Sequence, residues 1–340
     1  MESHVVSNLV VLALAIGALA LTGYVKTDKL WHSAFRRLAR RRPFSLLVLG
    51  AYLLVALADS VAWRGGATSG EDAVLAHEPR SLVDRLFANT QEKSYSAPFA
   101  EKEFYRAQPL VHPQRHWLGT DILGRDVLYV TCKGARVALL IGGFTSLIAI
   151  PLALLLGVAA GYFGGRVDDI VFFLMSVLAS IPSILLLVAL IMVLPKGTLS
   201  VCLALGVTSW VSFCRLARGE SMKLRELDYV AAARALGVSE VRIVWRHIVP
   251  NLMHLVIITL VLMFSGQVIS EAVLSWLGIG VQGSWGQMIA QAKDELSREP
   301  LIWWNLTAAG AALFGLLLAV NFIGDGVRDV LDPRTTRERE

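Results

Sequence analysis

The chain has 340 residues, of which 55% are hydrophobic and 17% charged, with a net charge of +5 and a positive mean hydropathy. About a quarter of the residues of a water-soluble globule are charged, so this balance argues against a cytosolic enzyme and for a chain whose main solvent is lipid. No nucleic-acid partner is expected.

Residues 5–25, 43–58, 137–165, 170–195, 197–214, 247–270 and 300–324 contain no Asp, Glu, Lys or Arg. A helix needs about 20 apolar residues to cross ~30 Å of hydrocarbon, and most of these runs have that length. The runs are continuous and do not alternate, which favours helices over membrane strands. The expected fold is therefore an all-α integral membrane bundle of about seven transmembrane helices.

Residues 5–25 form the first span, within an N-terminal region 1–30. Ala18-Leu19-Ala20 has the form of a cleavage site, but no basic residue precedes the run, so an uncleaved helix is expected. Residues 31–63 carry a basic segment and the second span, which reaches full length only if Asp59 lies at the interface and the helix continues to Trp63. Seven Lys or Arg lie between Lys26 and Arg42, seven more between Arg215 and Arg246, and four after Asp325. An outside N-terminus and seven spans place all three groups in the cytoplasm, so the positive-inside rule assigns N-out, C-in.

Residues 64–136 are polar and rich in Pro, Glu and Gln. A partly ordered outer segment is expected, with few apolar runs from which to build its own core. His112 and His116 lie four apart, but the intervening Pro113 disfavours a metal-binding helix face. Cys132, Cys202 and Cys214 have no ligand-like spacing and read as small packed side chains. Asn305-Leu306-Thr307 matches a glycosylation pattern by chance at the start of a span.

Residues 137–325 form the core. Gly157, Gly161 and Gly165 recur every four residues and would let a neighbouring helix approach closely. Pro151 and Pro182 should kink their helices. The stretch 215–250 reads as two short cytoplasmic helices, one through Leu224 to Leu236 and one capped by Ser239, joined at Gly237 and ended by Pro250. Two readings of its first helix stand: a thin Ala-rich helix seated in a groove of another protein, or an amphipathic helix on anionic lipid. Residues 326–340 are a cytoplasmic tail.

Ala232, Ala233 and Gly237, followed by Pro250, resemble the EAA loop of importer permeases, although Ala231, His247 and Val249 stand in its Glu, Ile and Leu slots. His116-Trp117-Leu118-Gly119-Thr120-Asp121 with Gly124-Arg125-Asp126 resembles the segment preceding the core of C-type permeases of dipeptide, oligopeptide and nickel ABC importers. Gly161-Tyr162-x-Gly164-Gly165, Leu274-Ser275-Trp276-Leu277-Gly278-x-Gly280, Ser284-Trp285-Gly286 and Gly324-Asp325-Gly326-x-Arg328-Asp329 continue the likeness in order, over roughly residues 30–335. The first span is additional to the six usual in that family, and the outer segment is longer than usual.

The resemblance implies a type I ABC importer transmembrane domain in the bacterial inner membrane. It implies four kinds of partner: a second homologous permease, two ATP-binding cassette ATPases, an extracytoplasmic solute-binding protein and membrane lipid. ATP and Mg would be bound by the ATPases, because no GxxxxGK[ST] loop occurs here. Coupling to the ATPases would fall on Tyr229, Ala232, Ala233, Arg234, Leu236, Gly237 and Pro250.

Ser180, Ser183, Ser265, Gln267 and Ser270 are candidates for the translocation pathway, and equally for polar glue between helices. Asp121, Arg125 and Asp126 either order an outer mouth or form a local salt-bridged turn. Glu271 either forms an outer gate, contacts a binding protein, or is an interfacial carboxylate with no such role. An alternative function is a membrane scaffold or stand-alone channel without ATPase coupling. A membrane-embedded metalloprotease would need a His-Glu-x-x-His pattern, which the sequence lacks.

Overall fold

The computed structural model describes residues 39–63, 80–88 and 90–331. The expected first span, most of the basic block after it, residues 64–79 and the tail from 332 lie outside the described residues. Apart from a two-residue antiparallel ribbon, β1 (Ala62–Trp63) on β2 (Arg80–Ser81), the regular structure is helical. That ribbon is the one departure from the all-α expectation among the described residues.

Five helices are long and apolar enough to cross a membrane: α1 (Pro43–Ser60), α3 (Val127–Phe163), α6 (Thr198–Arg225), α8 (Glu240–Trp276) and α10 (Trp304–Leu331). Short helices α2 (Leu82–Leu86), α7 (Asp228–Ala235) and α9 (Trp285–Glu295) lie between them. Pro43 opens α1, where its missing N–H costs no hydrogen bond. Pro151 lies inside α3, which continues through it.

The expected fourth span is not one helix. It is a pair, α4 (Gly165–Ser180) and α5 (Ser183–Val193), bent by 91°. A proline disfavours helical backbone in the residue before it, and Ile181 accordingly takes an extended conformation ahead of Pro182. If the pair counts as one span, six are described.

The described residues form two compact units, divided at Ile141/Gly142, Gln267/Val268 and Ile323/Gly324. In the unit containing α1 and α9, Trp285 lies across α3 where Gly134 leaves room. A Cβ at residue 134 would sit 2.3 Å from the indole. The indole N–H donates to the Thr131 carbonyl (2.9 Å), and Tyr52 meets the ring edge-on at 5.8 Å. Tyr52 in turn donates to the Ala312 carbonyl of α10 (2.8 Å).

The second span does not run on to Trp63 as a helix, because α1 stops at Ser60 and Ala62–Trp63 is extended. Asp59 is buried, accepts a hydrogen bond from Ser81 (2.8 Å) and pairs with Lys133 (3.1 Å) and Arg136 (3.5 Å) of α3. Lys133 also reaches Asp84 (2.8 Å), which closes a capping box with Ser81. Burial pushes the Asp84 carboxyl up, but Lys133, the Ser81 amide and the Tyr129 hydroxyl outweigh it and bring it down to about 2.

In the other unit, Gly157 and Gly161 admit α6. A Cβ at 157 would stand 2.7 Å from the Cys214 carbonyl, and one at 161 would stand 2.4 Å from that of Arg218. Gly165 does not extend this face, because α3 ends at Phe163 and Gly165 opens α4 with φ +52°. Arg218 of α6 grips Asp168 of α4 through both carboxylate oxygens.

Candidate functional site

The elbow between α6 and α8 is built by three local decisions of the backbone. Leu227 is extended, so the first elbow helix starts at Asp228, not Leu224. Its end is a Schellman turn in which Gly237 N–H donates to Arg234 O (3.0 Å) and Val238 N–H to Ala233 O (3.1 Å). Gly237 has φ +75° and open space where a Cβ would go, so glycine is needed for the left-handed turn and not for packing.

The second elbow helix also departs from expectation. Ser239 precedes it, but its side chain makes no capping bond. Pro250 does not end the helix. Instead Val244–Ile248 widens into a π turn, with Val249 N–H donating to Val244 O, and α8 runs unbroken to Trp276. A proline ring crowds the carbonyl four residues back, and one extra residue per turn relieves that crowding. Asn251 donates its side-chain amide to the His247 carbonyl (2.6 Å).

The elbow has two faces. Val230 and Ala233 are buried with Ile243, Ile248 and Leu252 of α8 and Val158 and Tyr162 of α3. Opposite them, Ala231, Ala232, Leu236, Val241 and Trp245 are exposed, Leu236 to 84%. Tyr229 is partly exposed over His247, with ring centroids 6.0 Å apart, and accepts a hydrogen bond from Asn251 (3.3 Å). Arg234 folds back across the Gly237 turn onto Glu240 (3.0 Å) and Tyr162 (3.3 Å). Of the predicted coupling residues, Tyr229, Ala232, Leu236 and Pro250 face outward, Ala233 faces inward, and Arg234 is engaged within the elbow. Tyr162 and Glu240 were not among the predicted coupling residues; Tyr162 lies 72 residues from Arg234, a separation that no local pattern spans.

Residues 90–126 have a core, but a polar one. His116 is 1% exposed, with Nδ1 2.9 Å from Asp126 Oδ2 and Nε2 3.4 Å from Glu92 Oε1. Glu92 also accepts the amides of Val111 (3.0 Å) and His112 (2.7 Å), and Asp126 accepts that of Leu128 (2.8 Å) at the start of α3. Burial pulls the His116 pKa down, but the two carboxylates more than reverse it, so the imidazole is held above its ordinary value.

Asp121 is buried. It accepts the amides of Leu123 and Arg125 (both 2.9 Å) and pairs with the Arg125 guanidinium (2.7 Å). Asp121, Arg125 and Asp126 thus each engage neighbours within this segment and the first turn of α3.

Glu295 is a further buried carboxylate. It accepts two hydrogen bonds from the Asn305 amide (2.9 and 3.0 Å) and one from Tyr95 (3.1 Å). Burial holds the Glu295 carboxyl above its usual range despite those bonds, and raises the Tyr95 phenol. Asn305 is therefore buried and engaged rather than presented to a glycosylating enzyme.

Glu271 is buried too. It accepts a hydrogen bond from Ser275, whose oxygen takes the Val281 amide (3.1 Å) and lies 2.9 Å from the Ser284 hydroxyl. A Cβ at Gly280 would stand 1.9 Å from that Ser275 oxygen, which is why this loop has glycine there.

The pathway candidates differ in environment. Ser180 and Ser183 are exposed on either side of the α4/α5 break, and Ser180 bonds the Val177 carbonyl (2.8 Å). Ser265 and Gln267 are buried in α8, and Ser270 is half-buried. Ser265 Oγ and Gln267 Oε1 meet no hydrogen-bond partner among the described residues, nor does Thr145 Oγ1 of α3, a buried group that sequence reasoning missed. Among the described residues no group of His, Cys, Asp and Glu is arranged to hold a metal.

Residues 153–337 match the family described as binding-protein-dependent transport system inner membrane component. The oligopeptide transport system permease protein OppC of Bacillus subtilis (strain 168) is 35% identical over 222 residues, 64% of this chain and 72% of the relative. The di/tripeptide transport system permease protein DppC of Pseudomonas aeruginosa (strain UCBPP-PA14) is 36% identical over 248 residues, 70% of this chain and 81% of the relative. A solved inward-facing structure of the MetNI methionine ABC transporter aligns over 60% of this chain and 98% of its own, with 19% identity and a TM-score of 0.48. The family match covers more than half of the chain, and the apolar helices suit it. The chain is a multi-pass membrane protein and belongs to the binding-protein-dependent transport system inner membrane components.

Proposed function

We propose that this chain is one of two membrane-spanning permease subunits of a bacterial ATP-driven importer of peptides or a related small solute. In this reading it lies in the cytoplasmic membrane, N-out and C-in, with residues 5–25 as an additional span. A second homologous permease completes the pathway, an extracytoplasmic binding protein delivers the solute, and two ATPase subunits bind ATP and Mg. Relatives at 35% and 36% identity are named as oligopeptide and di/tripeptide permeases, which supports the substrate class.

The observation that carries the coupling reading is the outward face of the elbow. An almost fully exposed Leu236, beside Ala232 and Tyr229, crowns a short helix whose opposite face is anchored in α3 and α8. Apolar residues on a rigid, thin helix suit a groove on a protein partner. ATP-driven closure of the ATPases would move this helix, and differential docking in the two states would shift the bundle between inward-open and outward-open forms. Unpartnered buried groups at Thr145, Ser265 and Gln267 support a pathway along α3 and α8, with Ser180, Ser183 and Ser270 as further candidates. Asp121, Arg125, Asp126 and Glu271 would hold the outer region in shape.

The test is an affinity pull-down from detergent-solubilised membranes, comparing the wild type with Leu236→Asp by mass spectrometry. Recovery of permease and ATPases with the wild type, and loss of the ATPases alone with the variant, is expected. A wild-type chain recovered alone, under conditions that preserve other membrane complexes, would favour a scaffold or channel and make the elbow a lipid contact.

A further inference from the structure

Three residues far apart in sequence meet at the elbow. Arg234 ends the first elbow helix, Glu240 begins α8, and Tyr162 stands at the end of α3. Arg234 Nε donates to Glu240 Oε1 (3.0 Å), its Nη2 donates to the Tyr162 oxygen (3.3 Å), and the Tyr162 hydroxyl donates to Glu240 Oε2. The guanidinium also lies over the tyrosine ring, 5.9 Å from its centroid. Each member therefore touches the other two, closing a ring of charge-assisted bonds around the Gly237 turn.

Below the ring lies the apolar contact of Val230 and Ala233 with Ile243, Ile248 and Val158. That contact is apolar and non-directional, and the turn that joins the two elbow helices is held by the backbone bonds to Arg234 and Ala233 alone. The ring spans that turn. Its tyrosine is buried, which fixes the position of the phenol oxygen, while the two charged groups remain half in solvent.

We propose that Tyr162, Arg234 and Glu240 form a clasp that locks the elbow to the end of α3, so that the elbow moves as one lever with α3 and α8. The three are positioning residues that act through the exposed face bearing Leu236. The inference rests on the coupling reading above for its consequence, but the locking itself is a property of this chain. Arg234 thereby works inside the elbow.

The experiment uses the full chain with its co-purified partners. Nitroxide labels are placed at the exposed positions Ala231→Cys and Arg242→Cys, with Cys132, Cys202 and Cys214 replaced by Ala. Distance distributions are recorded without nucleotide and after ATP–vanadate trapping. The unmodified clasp should give one narrow peak in both conditions. Tyr162→Phe, which keeps the ring and its packing, and Glu240→Gln should each lose the narrow peak while retaining their ATPases. Exchanging the charges, Arg234→Glu with Glu240→Arg, should restore it, an outcome that lost packing alone would not produce. A narrow peak in Tyr162→Phe and Glu240→Gln, or failure of the exchange to restore it, would overturn the clasp and leave the docking reading standing. Absence of ATPases from the wild-type preparation would remove the docking reading, and the label distances in the chain alone would still decide whether the clasp locks the turn.

Discussion

His116 Nδ1 and Asp126 Oδ2 lie 2.9 Å apart in a buried site, joining the segment before α3 to that helix's first turn. The other ring nitrogen faces Glu92, which is already an acceptor for two backbone amides. An imidazolium, with a hydrogen on each nitrogen, can serve both carboxylates, and their charge holds the His116 pKa above its ordinary value against the opposing effect of burial.

A pH dependence follows from this bridge. The folded pKa of His116 is raised, so its contribution to stability is fully present below the unfolded value of about 6.5 and is lost as pH rises through the folded value. Thermal unfolding in detergent should therefore show a melting temperature that falls between pH 6 and pH 9. His116→Gln should be less stable at pH 6 and show a shallower fall; an unchanged slope would count against the imidazolium bridge.

Gly134 is the seat of Trp285, and any larger residue there must push the indole off Thr131. Gly134→Val should destabilise the chain by about 1–3 kcal/mol, the usual cost of overpacking. The loss would appear as a lower melting temperature and as a red-shifted tryptophan emission. Gly50, with nothing within 4 Å of its Cβ position, provides the control: Gly50→Ala should leave both unchanged.

Asn305 donates to both oxygens of Glu295, so Asn305→Asp sets two carboxyls against each other in a buried site. One of them must stay protonated, as in other carboxyl pairs. A loss of about 1–3 kcal/mol is expected, in the range for an unsatisfied buried group. Since the proton is held more tightly in the folded pair, the loss should grow as pH is raised from 5 to 8. Equal losses at the two pH values would argue against a shared proton.

Gly237 is a conformational requirement without a steric one. Gly237→Ala should cost about 1–2 kcal/mol through the left-handed backbone, and Gly237→Asn should cost less, because asparagine tolerates that region. Under the coupling reading, ATPase recovery in the pull-down should fall in the order Gly, Asn, Ala. A bulky residue that bound ATPases as well as glycine does would show that the turn has no part in docking.

The apolar spans were legible in sequence because crossing hydrocarbon is a local demand, met by a run of some 20 residues without charge. The close approach at Gly157 and Gly161 was legible for a related reason: residues four apart on a helix share a face. Gly165 broke that inference, since the backbone turns before it. The break at Ile181 was announced by Pro182 as a kink, but the 91° bend depends on how each half then packs.

What sequence alone determined about this protein is what neighbouring residues impose on one another: lipid as solvent, the helical spans, the left-handed turn at Gly237, and the order of motifs that marks the family. Tertiary structure alone decided which groups meet across distance. His116 and Glu92 are 24 residues apart, Tyr162 and Glu240 78, and Tyr95 and Glu295 200. No periodicity relates such pairs. They find one another because a buried charge or hydroxyl must be satisfied inside the protein, and the packing of the helices determines which partner is within reach.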